Sequence, residues 1–391
     1  MNLVATPPAR RIAALSAIVA LTAIASCRGS TSPPSEQQLA LLTTMEGDPL
    51  TVLSIGSGVV VERPSSGVGS LGEDARTLSS HSHTLYYAGG RKLVSFDLIG
   101  RTAVWIEQFG DDPQGRFAGQ AIAANVALAL TPDETSILVA DSYNLGTWGV
   151  AILDVTSRNA TGFLERLRVR RMFTIQPGDF LGEGGVLALG TRQEKTVWED
   201  DTERRRGQLY LLAGNPLAIR DSIRFLSSAD SLAGGVAEMI VDKAGEYIYF
   251  VTYGGRLYKY DLRARAYVAS VRLPAYGPLA ISPDGSSIYL IDATQSRDVP
   301  GSGFMYVADA SLSAAQAIDL NSAAREGLPP QLTSVAVSAD GSLVYVGAGT
   351  ASRGPLYGVQ HGSVIAVDTR TRSIKQIFSL PTWGVRSILP L

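Results

Sequence analysis

A phrase recurs along this chain: an apolar strand, a polar turn, a second apolar strand, a loop, then a strand ending in Asp. It reads LAISPDGSSIYLID…GFMYVADA over 279–310 and SVAVSADGSLVYVGAG…GSVIAVDT over 334–369, with weaker copies over 127–155 and 238–262. Self-similarity at a spacing of roughly 40–60 residues marks a unit that cannot bury its own faces and has to stack on its neighbours. Charged residues are only 18% and Gly numbers 40, which suits short strands joined by tight turns rather than helices. Almost no segment sustains a 3.6-residue period, whereas alternating or continuous apolar runs recur between Gly/Asp/Pro turns.

Each copy divides into four strands, A to D. In the copy over 279–320, LAIS is strand A, PDG the turn, SSIYLID strand B, FMYVADA strand C and AAQAIDL strand D. Pro presets φ, Asp bonds its own backbone and Gly accepts a positive φ, so the turn has a mechanism. Asp97, Asp154, Asp261, Asp309 and Asp368 each end a C strand and read as turn-formers, not as a catalytic row. Six units follow one another: from Arg76, over 121–169, an irregular third with FTIQ as its first strand, then 236–273, 277–320 and a sixth ending at Leu380. Three N-terminal strands (39–64) and one C-terminal strand (384–391) remain. Together they would make a seventh unit that closes a ring and removes exposed edges. The expectation is an all-β, seven-bladed propeller of four-stranded antiparallel blades with WD40-like repeats, six blades being the alternative if the N-terminal strands only pack outside.

VYVGAG…GSVIAVDTRTRSI and IYFVTYGGRLYKYDL resemble the YVTN-repeat (surface-layer-type) β-propellers, although no copy contains the Tyr-Val-Thr-Asn tetrapeptide and Gly replaces the usual Asn. The resemblance covers blades two and four to six well, blade one moderately and blade three poorly. It implies the fold and no activity, because propellers host unrelated functions on one scaffold.

The N-terminus carries an address. Arg10 and Arg11 precede an apolar run, 12–24, that ends in Ala25-Ser26-Cys27. A basic start, a short apolar stretch and small residues at a cut describe an export signal. The run is shorter than the ~20 apolar residues a membrane-spanning helix needs. Ile24-Ala25-Ser26-Cys27 resembles the lipobox of bacterial lipoproteins, which implies cleavage before Cys27 and lipid on its thiol. Cys27 is the only cysteine, so disulfides have no claim on it. The expected organisation is a signal peptide (1–26), a polar tether (27–38) containing Pro33-Pro34, and one propeller domain (39–391). Arg28 after the cysteine is not the aspartate tied to inner-membrane retention in enteric bacteria, which favours the outer membrane within a bacterial cell envelope. Lys+Arg 34 against Asp+Glu 36, with no basic stripe, argues against nucleic acid as a partner.

Strand parity places the B–C loops and D–A connections on one face of the ring, and the A–B and C–D turns on the other. The B–C loops 143–149, 191–207, 293–303 and 349–362 are the long ones, and length spent on one face of a rigid array marks a binding face. The candidate binding residues there are Trp198, Arg204, Arg353, Tyr357 and His361, together with Tyr276 and Trp383 at the inner ends of A strands. Exposed aromatics beside Arg are typical of contact surfaces. His81 and His83 share a strand face but fall in the A–B turn of blade one, and two ligands do not make a zinc site. The sequence has no C-x-x-C-H, G-x-S-x-G, P-loop or H-E-x-x-H motif. The reading is a non-catalytic, lipid-anchored binding or scaffold propeller, without metal or cofactor, contacting the membrane through Cys27 and a protein, peptide or glycan through its loops. The alternative is an envelope enzyme, a lactonase-like hydrolase or a quinone-cofactor dehydrogenase, for which only the Asp200/Arg204/His361 neighbourhood could supply convergent groups.

Overall fold

The computed structural model describes residues 38–43, 50–55, 60–62, 76–79, 82–89, 92–98, 102–108, 126–141, 149–165, 167–177, 184–192, 208–224, 236–293, 302–323, 330–351, 359–380 and 385–390. The chain enters with β1 (Gln38–Thr43), β2 (Leu50–Ser54) and β3 (Val60–Glu62). Six blades follow, each an antiparallel sheet whose four strands are consecutive in sequence. Blade one holds β4 (Arg76–Leu78), β5 (Thr84–Gly89), β6 (Lys92–Asp97) and β7 (Thr102–Gln108). Blade two holds β8 (Val126–Leu130), β9 (Ser136–Asp141), β10 (Gly149–Asp154) and β11 (Ala160–Glu165). Blade three holds β12 (Leu167–Ile175), β13 (Gly185–Arg192), β14 (Gln208–Ala213) and β15 (Ala218–Arg224). Blade four holds β16 (Val236–Val241), β17 (Tyr247–Thr252), β18 (Arg256–Asp261) and β19 (Ala266–Arg272). Blade five holds β20 (Leu279–Ile281), β21 (Ser287–Ile291), β22 (Phe304–Asp309) and β23 (Ala315–Asp319). Blade six holds β24 (Gln331–Val337), β25 (Leu343–Ala351), β26 (Val359–Asp368) and β27 (Ser373–Ser379). The last strand, β28 (Val385–Pro390), returns to β1 and completes a further four-stranded sheet in the order β28-β1-β2-β3.

The protein is thus an all-β propeller of four-stranded antiparallel blades. Residues 38–391 form one unit, and Met1–Gln37, which includes Cys27 and the export signal, lies outside the described residues. Consecutive A strands touch one another from β4 through β8, β12, β16, β20 and β24 to β28, which makes A the inner strand. The D strands are the outer ones, with mostly exposed residues in β19, β23 and β27.

Alternation along each strand supplies both faces of a blade. In β8, Leu128 and Leu130 pack against Tyr86 and Leu93 of blade one, while Ala127 and Ala129 pack against blade three. In β25, Val344 and Val346 face blade five, while Leu343 and Tyr345 join Val385, Ile388 and Leu53 of the sheet made by the chain ends. Leu389 of that sheet packs against the cluster of Leu85, Tyr87, Val94 and Phe96 in blade one. Period-two patterning with two apolar faces makes such a strand unusable except between two neighbours.

Two boundaries differ from the sequence expectation. Blade two ends with β11 at Glu165, because Leu167 and Val169 already belong to the inner strand of blade three, which is far longer than FTIQ. The loop expected over 349–362 is shortened from both sides, since β25 and β26 continue to pair at Thr350↔Gln360 and Ala351↔Val359. His361 therefore belongs to strand β26, at a bulge where the register shifts, and not to a loop.

The A–B turns repeat one chemistry. In blade five, Asp284 Oδ1 accepts from Ser282 Oγ at 2.6 Å and from the Ser286 amide at 3.0 Å, with Gly285 at φ +71°. Blade six copies this with Ser338, Asp340, Gly341 and Ser342. In blade one the Ser79–Thr84 backbone bond of 2.9 Å matches Ser282–Ser287, so His83 is a turn residue as expected, and His81 lies outside the described residues. Among the C–D turns, Asp154, Asp261 and Asp368 accept the amides of Ser157, Ala264 and Thr371 at 2.6, 2.7 and 2.7 Å. These are turn-forming carboxylates.

The bond from the Ser282 hydroxyl and then the Ser286 amide hold the Asp284 carboxyl down to about 2. An aspartate in the unfolded chain titrates near ~3.9. A depressed folded value contributes stability that is present above the unfolded value and lost as pH falls through the folded one. Asp284→Asn is therefore expected to destabilise the domain at neutral pH and to flatten its acid sensitivity between pH ~4 and ~2. Urea midpoints of both proteins at neutral pH and near pH 3 check this. Parallel losses on acidification would show that this turn contributes nothing to the acid limb.

Candidate functional site

The face that carries the B–C loops has a cleft of about 540 Å³ at blade four, lined by Tyr253, Gly254, Gly255, Arg272, Leu273, Pro274, Ala275 and Tyr276. Its volume falls in the range of small-molecule and side-chain pockets, roughly 300–1,000 Å³. One wall is the tight B–C turn between β17 and β18, and the other is the D–A crossing from β19 to β20.

The turn is built on glycine for a steric reason. Gly255 has φ +71°, and a Cβ there would stand 2.3 Å from the Leu273 carbonyl oxygen. The Gly255 amide donates to Thr252 O at 2.9 Å, and the Leu273 amide donates to Gly255 O at 2.8 Å, which stitches the two walls together. The crossing is clamped to blade five as well. The Ala293 amide donates to Tyr276 O at 3.1 Å and the Ile291 amide to Pro278 O at 3.2 Å, while Leu273 and Ala275 are buried beneath. On this rigid frame the rings of Tyr253 and Tyr276 meet edge to face, with centroids 5.1 Å apart and planes at 68°. Such pairing fixes both rings. Tyr253 remains 42% exposed, among the large apolar side chains most open to solvent in the described residues.

Beside the cleft, blade five buries a carboxylate. Asp292 is 2% exposed and accepts a short hydrogen bond from the Ser302 hydroxyl, and its amide donates to Phe304 O at 3.0 Å. Asn321 Nδ2 donates to Ser302 O at 3.1 Å. Asp292 thus ties the two feet of the B–C loop 293–303 together.

Of the candidate residues read from the sequence, Tyr276 is in the cleft. Trp198, Arg204, Arg353, Tyr357 and Trp383 lie outside the described residues, as do Asp200 and the rest of the charged insertion. His361 is placed only as a position in β26. Sequence reasoning passed over Tyr253, Arg272 and Asp292. An aromatic directly before Gly-Gly was the available signal for Tyr253, but the shortness of that turn hid it among longer loops. No three His, Cys, Asp or Glu side chains converge as metal ligands among the described residues.

No protein-family model matches the sequence, and no curated protein matches it. Many solved structures share the fold. The β-propeller domain of Myceliophteria thermophila Cps50 (Swd1) superposes with a TM-score of 0.54 at 12% identity, covering 81% of this chain and 89% of that one. The dihydro-heme d1 dehydrogenase NirN, in complex with DHE, gives a TM-score of 0.54 at 12% identity, covering 90% of this chain and 74% of that one. At such identity the likeness is one of fold alone, and the fold and cleft together define a β-propeller with an open, aromatic-lined face.

Proposed function

We propose that the protein is a binding or scaffold propeller of the bacterial cell envelope, anchored by lipid on Cys27, that holds a protein, peptide or glycan on its B–C loop face. The observation that carries the reading is the Tyr253–Tyr276 cleft, a preorganised pair of rings held on glycine-built turns at the face where strand parity puts the long loops. Rigid aromatic anchors supply contact area at little entropic cost. The repeats are of the YVTN type, and the β28-β1-β2-β3 sheet serves as a seventh blade that closes the ring, supported by its packing against blades six and one.

A photoreactive phenylalanine in place of Tyr253 tests the reading in cells. Cross-links to a partner that disappear in Tyr276→Ala, with label from radioactive fatty acid lost in Cys27→Ser, are the expected result. Absence of cross-links refutes the binding face, and a soluble, unlabelled wild-type protein refutes the anchor. Turnover of a lactone or sugar that His361→Ala abolishes would put an envelope enzyme in its place.

A further inference from the structure

We propose that the occupant of the cleft is an acidic peptide segment, its carboxylates held by Arg256 and Arg272. The inference rests on the reading of this face as a binding surface and adds the chemistry of what binds. Arg256 opens β18 and Arg272 closes β19, and the two are direct cross-strand partners. Both are exposed, and Arg272 lines the cleft. Like charges directly opposite on an antiparallel ladder repel each other. Arg256 Nη1 donates to Ser270 Oγ at 3.1 Å, which keeps its guanidinium on the sheet face that Ser270 shares with Arg272.

The carboxylates of blade four do not relieve this repulsion. Glu238 is held by Arg171 of blade three. Asp242 caps the amides of Glu246 and Tyr247, and Asp261 caps Ala264, and these two with Glu246 all lie at the opposite edge of the blade. Among the described residues, then, neither Arg256 nor Arg272 has a carboxylate partner. Two unneutralised guanidinium forks, each able to grip a carboxylate through paired N–H bonds, stand beside two fixed aromatic rings.

The remaining lining decides between a peptide and an acidic sugar. Part of the backbone of both walls is already paired internally, through Gly255 to Thr252, Leu273 to Gly255 and Ala293 to Tyr276. Between Arg272 and Tyr276 the crossing carries only the apolar side chains of Leu273, Pro274 and Ala275. Beyond Arg272 and the two tyrosine hydroxyls the lining offers a ring of hydroxyls no polar side chain, whereas apolar side chains alternating with carboxylates match rings and guanidinium groups in turn.

Fluorescence anisotropy with a labelled hexapeptide alternating Glu and Phe, against the same peptide with Gln for Glu, tests the proposal at about 50 mM salt. The acidic peptide should bind the full chain about tenfold more tightly, with the preference fading as salt rises. Arg256→Gln/Arg272→Gln, with an unchanged melting temperature, should erase the preference. Equal binding of the two peptides, no binding of either, or stronger competition by trigalacturonate than by unlabelled acidic peptide would overturn it. Equal binding that Tyr253→Ala abolishes would overturn the charge selection and leave the binding face standing. Cross-linking at position 253 decides that face separately.

Discussion

Deletion of the last strand, Val385–Pro390, is expected to abolish the cooperative fold. β28 pairs with β1 from Leu39↔Pro390 to Thr43↔Val385, so its loss strips the inner ladder from the sheet that joins the chain ends. Val385 is 0% exposed and Ile388 1%, both within a cluster shared with Tyr345, Val364 and Phe378 of blade six. Two such side chains contribute about 3–6 kcal/mol when fully buried, at ~1.5–3 kcal/mol each. A typical domain has only ~5–15 kcal/mol in total. The Val385 carbonyl also accepts from the hydroxyls of Thr333 and Ser334, and its loss leaves Thr333 only the Gly347 carbonyl. Thermal melts of the full and shortened chains decide the matter. A shortened protein that still melts cooperatively within about 2 °C of the parent would mean that β28 adds almost nothing.

Breaking the Arg171–Glu238 pair should have the next largest effect. Arg171 Nε donates to Glu238 Oε2 at 3.0 Å and Nη2 to Oε1, with both side chains only 16% exposed. The pair bridges β12 and β16, the inner strands of blades three and four. Removing Arg171 leaves the Glu238 carboxylate mostly buried and without this cation, which costs about 3–5 kcal/mol for a fully buried pair. With partial exposure, about 2–3 kcal/mol is expected for Arg171→Met or Glu238→Leu alone. The double variant should recover most of that loss, because apolar groups of similar size replace both charges. A double-mutant cycle by urea denaturation measures the coupling, and strictly additive losses would show that the two charges do not depend on each other.

That ion pair also shows what a sequence conceals. Repeats, turn carboxylates and two-faced strands were legible in this chain because each depends on local chemistry at a fixed spacing. The pair depends on a bulge. In β12 the register shifts between Val169 and Arg171, and from there the parity of the strand is reversed. Leu167 and Val169 pack toward blade two, as does Met172, while Phe173 and Ile175 join the cluster with blade four. Strict alternation would have turned Arg171 toward blade two. The same shift recurs between Val236 and Glu238 in β16 and between Leu332 and Ser334 in β24, so Arg171, Glu238 and Ser334 occupy equivalent places in three blades. One inserted residue carries no mark in composition or period, and the blade-two boundary was misplaced in the same stretch. The cleft was half legible. Parity gave the face and Tyr276, but Tyr253 and Arg272 matter through a clamp between turn and crossing that only the folded backbone reveals.

The pairing of Leu39 with Pro390 makes the beginning and the end of the domain a single place. A ring joined this way has no preferred origin. Linking Pro390 to Gln38 with a few residues and opening the chain at Gly285, a turn where an added Cβ meets nothing within 4 Å, would give a circular permutant with every ladder intact. The natural cut instead places the seam inside one sheet, so β1, made first, must wait with an open edge for a strand more than three hundred residues away. An unsatisfied edge of that kind also accepts β28 from another copy once the protein concentration approaches the effective concentration of its own strand. Exchange of this strand between molecules is the misassembly that the architecture invites at high concentration.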